Sequence, residues 1–149
     1  MIWSLITFPK RCAFEKDDTV ERLLGNDIDV AALSPGALAF VGDAVFSLMV
    51  SEDLAKKNRP SGALHSISVT RVNAVAQAAG YKKIEAQLTE QEIAVYKRGR
   101  NLNVHNIPRG ATPGQYHSAT GLEALFGYLY LSNEIERLRE IFYLLSDEC

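Results

Sequence analysis

Between Ala37 and Val50 the chain runs through fourteen residues of which Asp43 alone is ionisable. That stretch is too long for a typical strand and has no alternation of apolar and polar positions. It does have the marks of a helix. Ser34 can cap its start, Pro35 suits the first helical position, and the turn Asn58-Arg59-Pro60-Ser61-Gly62 closes it after Lys57. A helix apolar on nearly every face must be covered on nearly every side, so it belongs at the centre of a fold.

Period-2 patterns are scarce elsewhere, and no internal repeat or low-complexity tract is present. A second helical stretch runs from Leu64 to about Gln87, with Leu64, Ile67, Val72 and Val75 on one side and a break expected near Gly80. Thr89-Glu90-Gln91-Glu92 has the form of a capping box opening a shorter helix that ends near Arg98-Gly99. Pro108, Gly110, Pro113 and Gly114 mark Asn101–Gln115 as a loop. The last helical region starts near Thr120 and continues to about Leu145, with a bend around Ser132-Asn133. The expected class is all-α, with an extension at residues 1–28 and one domain at 29–149.

A chain of 149 residues with 47% apolar and 23% charged side chains can bury a real core, which excludes a disordered chain. Cys12 and Cys149 match no zinc or redox spacing and read as reduced thiols. Near the N-terminus Lys10 and Arg11 follow the apolar run, where a secretory signal would have its basic residues before it. A soluble, cytoplasmic protein is the expectation. The net charge of −2 hides an asymmetry. From Ile93 to Leu122 there is no Asp or Glu, while Lys97, Arg98, Arg100 and Arg109 give that stretch +4. Attraction beyond a Debye length of ~8 Å is screened, so a locally basic segment can guide a polyanion on an acidic body. A solvated loop without acids would look the same.

Asp43 is anomalous because its helical neighbours three and four residues away are Ala39, Phe40, Phe46 and Ser47. An unpaired buried carboxylate costs several kcal/mol, so it must be protonated, find a cation or face a cleft. Glu123 repeats the pattern between Gly121-Leu122 and Ala124-Leu125-Phe126. Two such acids can converge on one hard cation with oxygen ligands, Mg²⁺ or Mn²⁺. Each could equally bridge to a basic side chain or cap another helix, and eighty residues of separation carry no ligand spacing of their own.

The same residues carry a resemblance. Phe40-Val41-Gly42-Asp43-Ala44-Val45 resembles the signature helix of ribonuclease III, and Leu122-Glu123-Ala124-Leu125-Phe126-Gly127 resembles its second acidic motif. The likeness is greater to Mini-ribonuclease III, the short form without a separate double-stranded-RNA-binding domain. Lys97-Arg98-Gly99-Arg100-Asn101 resembles that family's basic motif, and Leu64-His65, Val72-Asn73-Ala74 with Gln77-Ala78, and Thr120 with Gly127-Tyr128-Leu129-Tyr130-Leu131 also fit. Coverage runs from about Asp29 to Phe142.

The resemblance implies a metal-dependent endonuclease acting on double-stranded RNA as a homodimer, with a role in maturing large-subunit (23S) ribosomal RNA precursors. It assigns Asp43 and Glu123 as catalytic metal ligands. Lys97, Arg98, Arg100, Asn101 and Arg109 become the RNA-binding candidates, with His105 and His117 weaker ones and His65 a structural hydrogen-bonder. Phe40, Val41 and Phe46 read as core or dimer-seam residues. Ribonuclease III acids elsewhere in the motifs fall here on Gly36, Ala39 and Thr120, absences that Mini-ribonuclease III shares. Ser47 departs from both families, which commonly carry Glu there, and the loop after Asn101 diverges as well. One rival keeps the fold without the chemistry, as an inactive RNA-binding or ribosome-associated module. Another is a helical nucleotide phosphohydrolase, although the chain has no His-Asp pair.

Overall fold

The computed structural model describes residues 22–103 and 105–146. Cys12, Cys149 and most of the expected N-terminal extension lie outside them. Among the described residues there are six α-helices and no strand: α1 Pro35–Ala55, α2 Ser61–Val72, α3 Ala74–Ile84, α4 Glu90–Arg100, α5 Pro113–Leu131 and α6 Ile135–Leu145. None is long and apolar enough to cross a membrane.

The all-α expectation holds, and α1 begins where the sequence places it. The Ser34 hydroxyl accepts from the Ala37 amide at 3.1 Å, and Pro35 stands in the first turn. The capping box at Thr89 is also formed, with Glu92 accepting from the Thr89 amide at 2.8 Å.

Three boundaries differ from expectation, the first being that α2 already begins at Ser61, inside the expected turn. The break in the second helical stretch falls at Asn73, not Gly80. Asn73 leaves helical geometry with ψ at 159° and caps α3 by accepting from the Ala76 amide at 2.9 Å. Gly80 sits inside α3, where the Leu145 side chain lies against it. The final helical region starts seven residues early because Thr112-Pro113-Gly114-Gln115 is itself a capping box with proline in the first turn. The bend expected at Ser132-Asn133 is the α5–α6 junction, with Asn133 at a positive φ of 61°.

α5 packs against α1, α3, α4 and α6 and buries ten of its residues, Phe126, Leu125 and Ala124 completely. α1 lies alongside it and buries Leu38, Val45, Phe46, Val50 and Leu54 in the core. The other side of α1 is open in the single chain, with Phe40 81% and Leu48 53% exposed. α5, not α1, is therefore the more fully enclosed helix. Hydrophobicity around the whole of α1 does not say which side another copy or ligand would cover.

α4 and α6 are tied by an ion pair. Glu92, only 4% exposed, accepts from the Arg137 Nε at 2.8 Å and Nη2 at 3.0 Å, and Nη2 also reaches the Gln87 carbonyl at 2.8 Å. At the opposite end of α1, Asp53 pairs with Lys56 and Arg71, which joins α1 to α2.

Candidate active site

Among the glycines of the described residues, the tightest contact is where Gly42 of α1 meets α5. A methyl group on Gly42 would overlap the Glu123 carbonyl oxygen, and one on Gly127 would overlap the Leu38 carbonyl oxygen. Two helix backbones in such contact leave no room for any side chain between them. Asp43 follows Gly42, so this contact sets its carboxyl beside that of Glu123, which feels its charge.

The two acids differ in setting. Asp43 is exposed, because its face of α1 is the open one; of the alternatives the sequence left, it is not buried among its apolar helical neighbours. Glu123 is half-buried. Burial pushes its carboxyl up to about 7, the Asp43 charge adds to the rise, and a hydrogen bond from the Gln77 side chain opposes it. Among the described residues no cation neutralises Glu123, unlike Glu92, whose carboxyl the Arg137 guanidinium holds below its ordinary value.

Glu123 opens onto a cavity of about 720 Å³ formed by the end of α2, the start of α3, the α4–α5 loop and α5. Arg109 and Tyr116 line it, with Thr70, Asn73 and Thr120. Of the five RNA-binding candidates, only Arg109 is thus brought to the cavity beside Glu123. Lys97, Arg98, Arg100 and Asn101 are exposed at the C-terminal end of α4, and Arg100 lies over the Tyr96 ring. That end is fixed to α5 by glycines, since a Cβ on Gly99 would come within 2.5 Å of the Ala124 Cβ and one on Gly121 within 2.7 Å of the Tyr96 ring. His105 is exposed and His65 likewise, while His117 is half-buried with its Nδ1 unpaired among the described residues.

The donor chemistry fits Mg²⁺ or Mn²⁺. No group of three or more His, Cys, Asp or Glu gathers among the described residues, so a closed cage of zinc type is not what this site offers. Mg²⁺ keeps most of its waters and is usually held by one or two carboxylates together with substrate phosphate. Two neighbouring carboxyls, one open to solvent and one raised by burial without a counter-charge, meet that description.

Sequence reasoning did not mark Gln77 as part of the site. The signal was the one that revealed Asp43: a single polar residue within an apolar run, Ala74-Val75-Ala76-Gln77-Ala78-Ala79.

An all-helical fold that sets two carboxyls beside a cleft carrying one arginine suits a phosphodiester-cleaving enzyme, and the comparisons give the family. The Ribonuclease III domain model matches residues 36–134. A Mini-ribonuclease 3 from Thermoanaerobacter sp. (strain X514) is 47% identical over 116 residues, covering 77% of this chain and 82% of the relative. The Mini-ribonuclease 3 of Symbiobacterium thermophilum is 41% identical over 116 residues, covering 77% and 89%. The crystal structure of a Fusobacterium nucleatum protein superposes with a TM-score of 0.72 at 32% identity, covering 78% of this chain and 94% of that one. The chain belongs to the ribonuclease III family and is an endoribonuclease of the Mini-ribonuclease 3 type.

Proposed function

We propose that this protein cuts double-stranded RNA with the help of a divalent cation, Mg²⁺ or Mn²⁺, held by Asp43 and Glu123. The observation that carries this reading is the unneutralised carboxyl pair set side by side by the Gly42 contact. Removing Asp43 or Glu123 charge would leave a folded protein without its cation, and the retention of both acids argues against an inactive module. When bound, the cation supplies an activated water and neutralises charge on the phosphate and the leaving oxygen.

The chain's own groups do the rest. Arg109 faces the cleft beside Glu123 and can hold a phosphate there, where a guanidinium offers a bidentate fork. Lys97, Arg98 and Arg100, with Asn101, supply exposed donors at the end of α4 for the RNA backbone. A-form RNA is read by shape, phosphate and 2′-hydroxyl, so such contacts suffice without base recognition.

The catalytic unit in this reading is 29–149, working as a cytoplasmic homodimer in the maturation of 23S ribosomal RNA precursors. Phe40, Ala44 and Leu48 recur every fourth residue along the open side of α1, and their exposure in one chain supports a seam with a second copy. The second copy would bring a second Asp43–Glu123 pair to the opposite strand of the duplex.

The test is incubation of the purified protein with Mg²⁺ and an end-labelled duplex RNA, then with a large-subunit precursor stem. Cleavage of both strands, absent in EDTA and absent on duplex DNA of the same sequence, is expected. Intact duplex RNA in Mg²⁺ and in Mn²⁺ would overturn the proposal.

A further inference from the structure

We propose that Tyr116 is a specificity-determining residue: its hydroxyl meets a ribose 2′-hydroxyl of the RNA in the cleft beside Glu123. The proposal rests on the duplex-RNA reading above and names a group by which that site tells RNA from DNA.

α5 presents three polar side chains to the cleft, Tyr116, Thr120 and Glu123, at four- and three-residue spacing along one face. The first and the last stand about 10 Å apart along the helix axis. The capping box at Thr112 fixes the start of α5. The Tyr116 amide donates to the Thr112 carbonyl at 3.0 Å, and the Tyr116 carbonyl accepts from the Thr120 hydroxyl at 3.0 Å. Tyr116 is thus held by its backbone, and its half-buried side chain stands on the cleft wall.

Six of the residues lining the cleft have polar side chains, and the donors of the neutral ones are committed with one exception. The Thr70 hydroxyl donates to the Ile67 carbonyl at 2.7 Å. The Asn73 amide donates to the Val69 and Thr70 carbonyls, and its oxygen accepts from the Ala76 amide. Thr120 donates to the backbone of Tyr116. Arg109 carries the charge that suits phosphate, and Glu123 is a ligand of the proposed cation. The Tyr116 hydroxyl is the exception, neutral and without a hydrogen bond among the described residues. Most of the remaining wall is alanine, which leaves room for a sugar and offers its hydroxyls nothing to bond.

The chemistry of the phenol selects the group it meets. A phosphate oxygen only accepts, and the Arg109 guanidinium serves it better through a charge-assisted bond. A 2′-hydroxyl both donates and accepts, as a phenol does. In A-form RNA the 2′-hydroxyls lie along the wide, shallow minor groove, where side chains reach them. Deoxyribose leaves the phenol unmet, and a site built to bond a substrate hydroxyl disfavours the analogue without it.

The experiment compares wild type with Tyr116→Phe in Mg²⁺. The substrates are an all-RNA duplex and a series in which one nucleotide near the cut, on either strand, is 2′-deoxy. At one position of the series wild type should lose about 3- to 10-fold in kcat/KM, the value of a neutral hydrogen bond. Tyr116→Phe should show a similar loss on the all-RNA duplex and no further loss when that position is deoxy. Both proteins should melt at the same temperature, since the hydroxyl has no partner within the described residues to lose. Wild-type kcat/KM in Tyr116→Phe on all-RNA duplex would overturn the proposal. An equal loss in Tyr116→Phe on every duplex of the series would overturn it too, by placing the hydroxyl on phosphate or in packing. So would wild type that tolerates deoxyribose at every position, whatever the variant does. Wild type that cuts no duplex RNA would sink the functional reading together with this one, whereas the other three outcomes leave that reading standing.

Discussion

Glu92 and Glu123 are both glutamates on helices, both largely withdrawn from water, and they end up as opposites. Glu92 closes a capping box and faces Arg137, so its carboxyl stays ionised below the usual range. Glu123 faces Asp43, with no cation beside it among the described residues, and burial lifts it to about 7. Partial burial of an acid therefore says little about function. The neighbours decide: a guanidinium turns the acid into a strut between α4 and α6, and a second carboxyl makes it half of the proposed cation site.

The largest expected effect separates the two in catalysis. Asp43→Asn and Glu123→Gln should each lower duplex-RNA cleavage by about a thousandfold or more, while both proteins stay folded and still bind RNA. Glu92→Gln should keep cleavage near the wild-type level at temperatures where it is folded. Cleavage assays on the three proteins check this, and full activity in either site variant would remove that residue from the mechanism.

Stability should reverse the ranking. Glu92→Gln preserves the capping box, because glutamine can serve at that position, and removes only the ion pair. Losing one partner of a buried pair costs ~3–5 kcal/mol, and Arg137 keeps 22% of its side chain in water, so a loss of about 2 kcal/mol is expected in urea melts. The folded-state pKa of Glu92 lies below its ordinary 4.5. Its contribution is accordingly complete above that value and disappears as pH falls through the lower folded pKa. Glu92→Gln should be less sensitive than wild type to acid in that window.

Glu123 predicts the opposite sign and a smaller effect. Its folded carboxyl holds a proton up to about 7, against 4.5 when unfolded. In EDTA the folded protein should therefore lose stability as pH rises from 4.5 through 7, by on the order of 1–2 kcal/mol once partial exposure is allowed for. Glu123→Gln should lack that decline and melt higher than wild type at pH 8. Parallel pH–stability curves for the two proteins would contradict the account.

Much of the fold was legible in the chain, and the parts that were not share a cause. Ser34-Pro35 and Thr89–Glu92 announce helix starts because capping is local chemistry. Thr112-Pro113-Gly114-Gln115 is an equally local cap, but its proline and glycine read as loop formers until the helix behind them is seen. Asn73 and Gly80 exchanged roles for a related reason: a glycine inside a helix can be a packing site against Leu145, which sequence spacing does not reveal. In the site, lone charges in apolar runs pointed to Asp43 and Glu123. Their juxtaposition depends on Gly42 and Gly127, whose missing side chains leave no periodic signal. Gln77 entered the sequence reading only within the family motif with Ala78, because a neutral side chain among alanines announces no role of its own.

The central claim is that Asp43 and Glu123 form a cation site whereas Glu92 does not, and thermal unfolding with and without Mn²⁺ tests it most directly. A ligand that binds only the folded protein raises its melting temperature in proportion to how far its concentration exceeds the dissociation constant. Millimolar Mn²⁺ should raise the melting temperature of wild type and Glu92→Gln by similar amounts and leave Asp43→Asn and Glu123→Gln unmoved. An equal rise in all four proteins would place the cation elsewhere and contradict the account.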